Sequence, residues 1–171
     1  MRQLRKKEIK KEFSKLYKRD KEIVLILENI QYARNVASMF RTADAAGVKR
    51  IYLTGISHHP PFGKELRQVS RSKEQSVEWI QKESSIEVIN SLQKQGFEIL
   101  PIELTDKSIL VSDLADYLKD KDKICFIGGS EVYGINRATL AKCENSVVIP
   151  MYGKGASINV SNAVTVVLFS F

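Results

Sequence analysis

The chain has 171 residues, enough for one domain with a real core, and its 43% apolar content is that of an ordinary soluble protein. No apolar run approaches the ~20 residues of a membrane span. The start, Met-Arg-Gln-Leu-Arg-Lys-Lys, has no apolar segment behind its charges, so no secretory signal and a cytoplasmic location are expected. The net charge of +7 is unevenly placed: residues 1–21 carry ten Lys or Arg against three Asp or Glu, while residues 22–171 carry seventeen of each.

The chain therefore divides into a basic arm, 1–21, and an electrically balanced domain, 22–171. In the arm, Ile9, Phe13, Leu16 and Tyr17 fall at i, i+4, i+7 and i+8, one stripe of a helix with basic residues around it. Such a helix is either simply solvated or meets phosphate. Since the arm supplies all the excess charge, RNA contact is the preferred reading, and the narrow stripe argues against a membrane surface.

Residues 23–27 form a continuous apolar run, as expected of a parallel strand buried on both faces. The spacing predicts a helix over 34–46, closed by Gly47, with Val36, Met39, Phe40 and Ala43 buried and Arg41 away from that stripe. Residues 50–54 read as a strand and 55–63, with His58-His59-Pro60-Pro61, as a surface loop. Two adjacent histidines without a third partner do not make a metal site, and no metal is expected. Residues 64–76 read as a basic loop (Lys64, Arg67, Arg71, Lys73) that either touches RNA or is solvated, and 77–80 as a short strand.

Ser84 or Ser85 is expected to cap a helix through Ile86, Ile89 and Leu92, followed by a strand at 97–102 and a short helix capped by Ser112. Residues 124–127 are another buried strand, opening on the glycine-bearing segment 128–134, then a helix at 136–143 and a strand at 147–150. Gly153 and Gly155 suggest close backbone approach to a ligand, and Ser157 reads as the N-cap of an apolar C-terminal helix. Cys125 and Cys143 read as reduced packing residues. Strands alternating with helices indicate an α/β domain, a mostly parallel sheet with helices on both faces.

Three ordered segments carry more than their composition. The first is Asn29, Arg34-Asn35-Val36, Phe40-Arg41-Thr42-Ala43 and Gly47; the second is Gly129-Ser130-Glu131 with Gly134-Ile135; the third is Ile149-Pro150-Met151 followed by Ser157-Ile158-Asn159-Val160-Ser161 and Ala163. There is no Gly-x-Gly-x-x-Gly after the first strand and no Gly-Lys-Ser/Thr phosphate loop, so ordinary dinucleotide and nucleotide folds are disfavoured. Together the three segments resemble the motifs of the SpoU/TrmH branch of the SPOUT RNA ribose methyltransferases, over residues 22–171. The match departs at Ala37 and Val132, where Gly is usual or common, at Gly128 and Asn162, where an apolar or small residue is usual, and mildly at Ile158, where Leu is usual.

The resemblance implies a C-terminal deep trefoil knot, homodimerisation through the knot region, and S-adenosyl-L-methionine as cofactor. Carried over by motif, the cofactor would meet Leu104, Gly129, Ser130, Glu131, Gly134, Ile149, Met151, Ser157 and Ile158. The implied reaction is methylation of a ribose 2′-hydroxyl in RNA, tRNA before rRNA. Arg41 would activate that hydroxyl, with Asn35, Glu131, Ser157 and Asn159 holding the reacting groups in line. Because an arginine stays protonated, Arg41 suits binding of phosphate and developing oxyanion better than unaided proton abstraction. Candidate RNA contacts are Lys6, Lys10, Arg34, Arg41, Arg67 and Arg71. The alternatives are a non-catalytic RNA-binding protein with the same fold and a DNA-binding regulator, for which no helix-turn-helix pattern is present.

Overall fold

The computed structural model describes residues 2–5, 7–9, 11–12 and 20–171. Lys6, Lys10, Phe13, Leu16 and Tyr17 of the expected arm helix lie outside the described residues. The arm's last residue, Lys21, donates from Nζ to the carbonyls of Leu118, Lys119 and Lys121, at 2.7, 3.2 and 2.8 Å.

Strand β1, Glu22–Glu28, is the central element. On one side it pairs in parallel with β2, Arg50–Thr54, and through it with β3, Glu78–Lys82. On the other side it pairs with β6, Lys123–Gly128, which in turn pairs with β4, Glu98–Pro101. A bridge from Ile102 to Val147 carries the sheet on to β7, Ser146–Val148, with β5, Ser108–Leu110, paired to it. All named strand pairs are parallel, which is why β1 and β6 read as unbroken apolar runs.

The two-residue period of β1 sorts its side chains between two cores. Ile23, Leu25 and Leu27 join α1, Ala33–Ala46, through Val36, Met39, Phe40 and Ala43, and α6, Val160–Leu168, through Val164, Val167 and Leu168. Val24 and Ile26 face the opposite side, where Val88, Ile89 and Leu92 of α3, Ser85–Lys94, cover the sheet with Ile135 and the half-buried Leu140 and Cys143. α5, Arg137–Leu140, belongs to this second layer.

Several local expectations change. The segment expected as a basic loop forms α2, Lys64–Ser70, and a 3-10 turn, Lys73–Gln75, because Leu66 and Val69, three residues apart, pack on the first core. Ser84 stands at the N-cap of α3 without a side-chain cap, and Ser85 instead bonds Thr54 Oγ1 at 2.6 Å under the sheet. Ser112 lies in a 3-10 turn, Val111–Asp113, ahead of α4, Leu114–Tyr117, and its hydroxyl donates to Asp113 rather than capping that helix. The helix expected over 136–143 has only four residues, with Asn136 capping it at Ala138 N, 3.0 Å. His59 stacks on Trp79, ring centroids 5.9 Å apart, a packing role in the loop. Among the described residues no helix is long and apolar enough to cross a membrane, and no group of three or more His, Cys, Asp or Glu is placed to hold a metal.

Phe40 is fully buried and meets Phe62 edge-on at 5.6 Å, tying α1 to the loop before α2. Phe40→Ala should therefore cost about 3–5 kcal/mol in urea unfolding, the range for an aromatic side chain removed from a core that collapses only in part.

Candidate active site

Three loops at the carboxyl ends of β4, β6 and β7 enclose a cavity of about 650 Å³. Its floor is the segment after β6. Ser130 and Gly134 exchange both backbone hydrogen bonds, at 3.0 and 2.9 Å, so residues 130–134 close into a tight hairpin. The Ser130 hydroxyl accepts from the Val132 and Tyr133 amides inside it. A Cβ on Gly129 would lie 2.6 Å from the Gly134 carbonyl carbon, and Gly134 has φ 66°, so both glycines are demanded by the hairpin. Its walls are apolar: Ile102, Leu104, Val147, Ile149, Met151 and Ile158 among others.

Glu131 projects from that hairpin to the start of α1. Its carboxylate accepts from the amides of Gln31 and Tyr32, at 2.9 and 3.3 Å, and from Asn35 Nδ2 at 2.6 Å. Partial burial pushes this carboxyl up, but the bonds from Asn35, Gln31 and Tyr32 outweigh it and leave its pKa below the ordinary glutamate value. Asn35 Oδ1 in turn accepts from Asn159 Nδ2 at 3.1 Å, and Asn159 Oδ1 accepts from the Ser161 amide at 2.9 Å. The N-cap of α6 is thus Asn159, not the expected Ser157. Asn159 can reach the first-turn amide and Asn35 together, while Ser157 stands two residues earlier on the cavity wall, exposed.

The cavity is lined by every residue assigned to the cofactor on sequence grounds: Leu104, Gly129, Ser130, Glu131, Gly134, Ile149, Met151, Ser157 and Ile158. Gly153 and Gly155 line none of it and adopt no left-handed φ, and neither is crowded by its surroundings. Of the residues assigned to catalysis, Glu131, Asn35 and Asn159 are joined by hydrogen bonds and Ser157 faces the same space. Arg41 does not line the cavity. It is exposed on α1, beside Thr42, whose hydroxyl meets that of Thr165 on α6 at 3.1 Å. Arg34, Arg67 and Arg71 are exposed, and Arg34 is paired with Glu65 across the α1–α2 contact.

One motif residue, Asn29, has a structural role that its motif did not state, and one cavity residue, Glu103, had no signal that sequence reading used. Asn29 takes a left-handed turn, φ 54°, and its Oδ1 accepts from Ile56 N at 3.2 Å, linking the ends of β1 and β2 over Gly55. Glu103 lines the cavity and bonds the amides of Leu104 and Ile135. The motif departures are accommodated: Ala37 is buried within a helix, Val132 is 61% exposed and needs no positive φ, and Asn162 is exposed. Gly128 leaves room for α6, since a Cβ there would come within 3.2 Å of Val164 Cγ2.

The model of the SpoU rRNA Methylase family matches residues 22–169. The tRNA (guanosine(18)-2′-O)-methyltransferase of Escherichia coli (strain K12) is 28% identical over 157 residues, 90% of this chain and 64% of that protein. The chain thus spans less than two thirds of that relative's length. Among solved structures, the A. aeolicus TrmH/SpoU tRNA modifying enzyme superposes with TM-score 0.77 at 23% identity, over 96% of this chain and 80% of that one. An AdoMet-bound rRNA methyltransferase from Sinorhizobium meliloti gives TM-score 0.78 at 21% identity, over 91% of this chain and 57% of that one. At these identities the two structures establish the fold.

Because the folded pKa of Glu131 is lowered, its contribution to stability is full above the unfolded value and is lost as pH falls through the folded one. Wild type should exceed Glu131→Gln by about 1 kcal/mol at pH 7, allowing for solvent screening of this half-exposed group. Urea unfolding at descending pH should show the gap unchanged near neutrality and closing as pH falls through the ordinary glutamate value of 4.5 and below it.

Proposed function

The chain belongs to the SpoU methylase family, and from that premise we propose that it methylates a ribose 2′-hydroxyl of RNA with S-adenosyl-L-methionine as donor. The observation that carries this reading is the hydrogen-bonded line Glu131–Asn35–Asn159, which joins one residue from each of the three motif segments at the mouth of a single cavity. The cavity fits the cofactor. Its volume is within the usual range for a small-molecule site, glycines 129 and 134 bring bare backbone to its floor, and its walls are apolar enough for a nucleoside. When bound, the cofactor supplies a methyl group on a sulfonium sulfur.

The chain's own work is to orient the ribose and to stabilise the alkoxide character of its oxygen. Asn35, Glu131, Ser157 and Asn159 hold Arg41, the ribose and the phosphate in line with the methyl group, and Arg41 binds the phosphate and the developing negative charge while the phosphate takes the proton that the hydroxyl gives up. One chain alone leaves Arg41 outside its cavity, so the reading includes a homodimer. The exposed Val166 and Phe169 of the C-terminal helix region, 41% and 58% exposed, are what a second copy would cover. The C-terminal part is proposed to be threaded as a trefoil knot. Support comes from the path of the chain, which runs from β6 out to β7 at the far side of the sheet and returns through α6 to pack on α1.

The domain at 22–171 holds the chemistry and the basic arm at 1–21, with Lys6 and Lys10, grips RNA together with Arg34, Arg67 and Arg71. tRNA is the proposed substrate before rRNA. The E. coli relative named above is a tRNA methyltransferase, whereas the S. meliloti structure is of an rRNA methyltransferase.

The test is incubation with methyl-labelled S-adenosylmethionine and separate pools of unmodified tRNA and rRNA, followed by nucleoside analysis. Label at ribose 2′-O in the tRNA pool is expected. Arg41→Ala should lower transfer at least about a hundredfold while calorimetric cofactor affinity stays nearly unchanged. Equal loss of binding and transfer would overturn the role given to Arg41, and label on a base would overturn the reaction.

A further inference from the structure

The fixed charges of the cavity are of one sign. Among the described residues that line it, the ionisable acids are Glu103 and Glu131, and there is no Lys, Arg or His. Neither carboxylate forms an ion pair among the described residues. Glu131 is held by Asn35 and two backbone amides. Glu103 is held by two longer bonds, without any motif to announce it. Its amide donates to the Val147 carbonyl at 3.0 Å, Oε1 accepts from Leu104 N at 3.1 Å and Oε2 from Ile135 N at 3.4 Å. Oε2 sits over Gly134, 2.6 Å from where a Cβ would be. Two backbone amides thus keep a carboxylate at the cavity wall.

Resting on the cofactor reading above, we propose that Glu103 is a specificity-determining residue that favours the sulfonium methyl donor over its demethylated product by charge. Donor and product share adenine, ribose and amino acid. They differ by one methyl group and one positive charge, and loss of the methyl group removes that charge. In a cavity whose fixed charges are both negative, the cationic donor is attracted and the neutral thioether is not. Transfer of the methyl group would then weaken the hold on the spent cofactor at the moment it must leave.

Calorimetry with three ligands tests this: S-adenosylmethionine, S-adenosylhomocysteine, and the analogue bearing an ammonium where the sulfonium stands. Glu103→Gln keeps an acceptor for the Leu104 amide and removes the charge. It should weaken the two cationic ligands about tenfold and leave S-adenosylhomocysteine within about twofold. Glu103→Asp, which keeps the charge, should retain most of the wild-type preference. Equal weakening of all three ligands in Glu103→Gln would make Glu103 a ribose or ammonium contact and overturn the proposal while leaving the cofactor reading intact. Unchanged affinity for all three would also overturn it. Failure of the wild-type protein to bind any of them would overturn the cofactor reading itself.

Discussion

One carboxylate, that of Glu131, settles the electrostatics of two helix starts at once. It accepts the Gln31 and Tyr32 amides where the chain enters α1, groups with no partner inside that helix. Through Asn35 it orients Asn159, which supplies the missing acceptor at the first turn of α6. The segment around Asn35 is thereby registered to two others, 96 and 124 positions further along the chain, by hydrogen bonds of 2.6–3.3 Å. The apolar packing of α1 against α6 and β1 brings these ends near each other, but packing is non-directional. The polar line is what turns proximity into a defined geometry, and it lies at the cavity's mouth.

The glycine hairpin plays the complementary part. Its two cross-bonds hold Ser130 and Gly134 face to face, so Glu131 is projected from a closed turn rather than from a free loop. The same turn aims Gly134 at Glu103 and thereby links β4, β6 and β7 at their carboxyl ends. Cavity shape and carboxylate placement are therefore one structural problem.

The sheet was legible in the sequence because a buried parallel strand needs apolar residues on both faces, and residues 23–27 and 124–127 could satisfy little else. The same reading placed α1 to within a residue, since Val36, Met39, Phe40 and Ala43 keep helical spacing. It missed α2, whose apolar side is only Leu66 and Val69, and β5, three residues long, because neither is long enough to display a period. The choice of cap was equally hidden. Ser157 and Asn159 are both good N-cap residues, and the decision is made by Asn35, more than a hundred positions away. The cavity residues were legible through motif resemblance, whereas the location of Arg41 outside the cavity and the approach of Glu103 to Gly134 are tertiary facts that no local pattern encodes.

The fit between Gly128 and Val164 bears on how this chain can drift over generations. With a Cβ at 128 brought to 3.2 Å from Val164 and 3.4 Å from Val160, enlargement on the strand requires the helix side chains to give by a few tenths of an ångström. Trimming Val164 while Gly128 remains opens a void, so neither single step is neutral. Exchange of bulk between strand and helix must then pass through a less stable ancestor or occur as a paired change. Sequences that carry a larger residue at the position of Gly128 are expected to carry a smaller one opposite it.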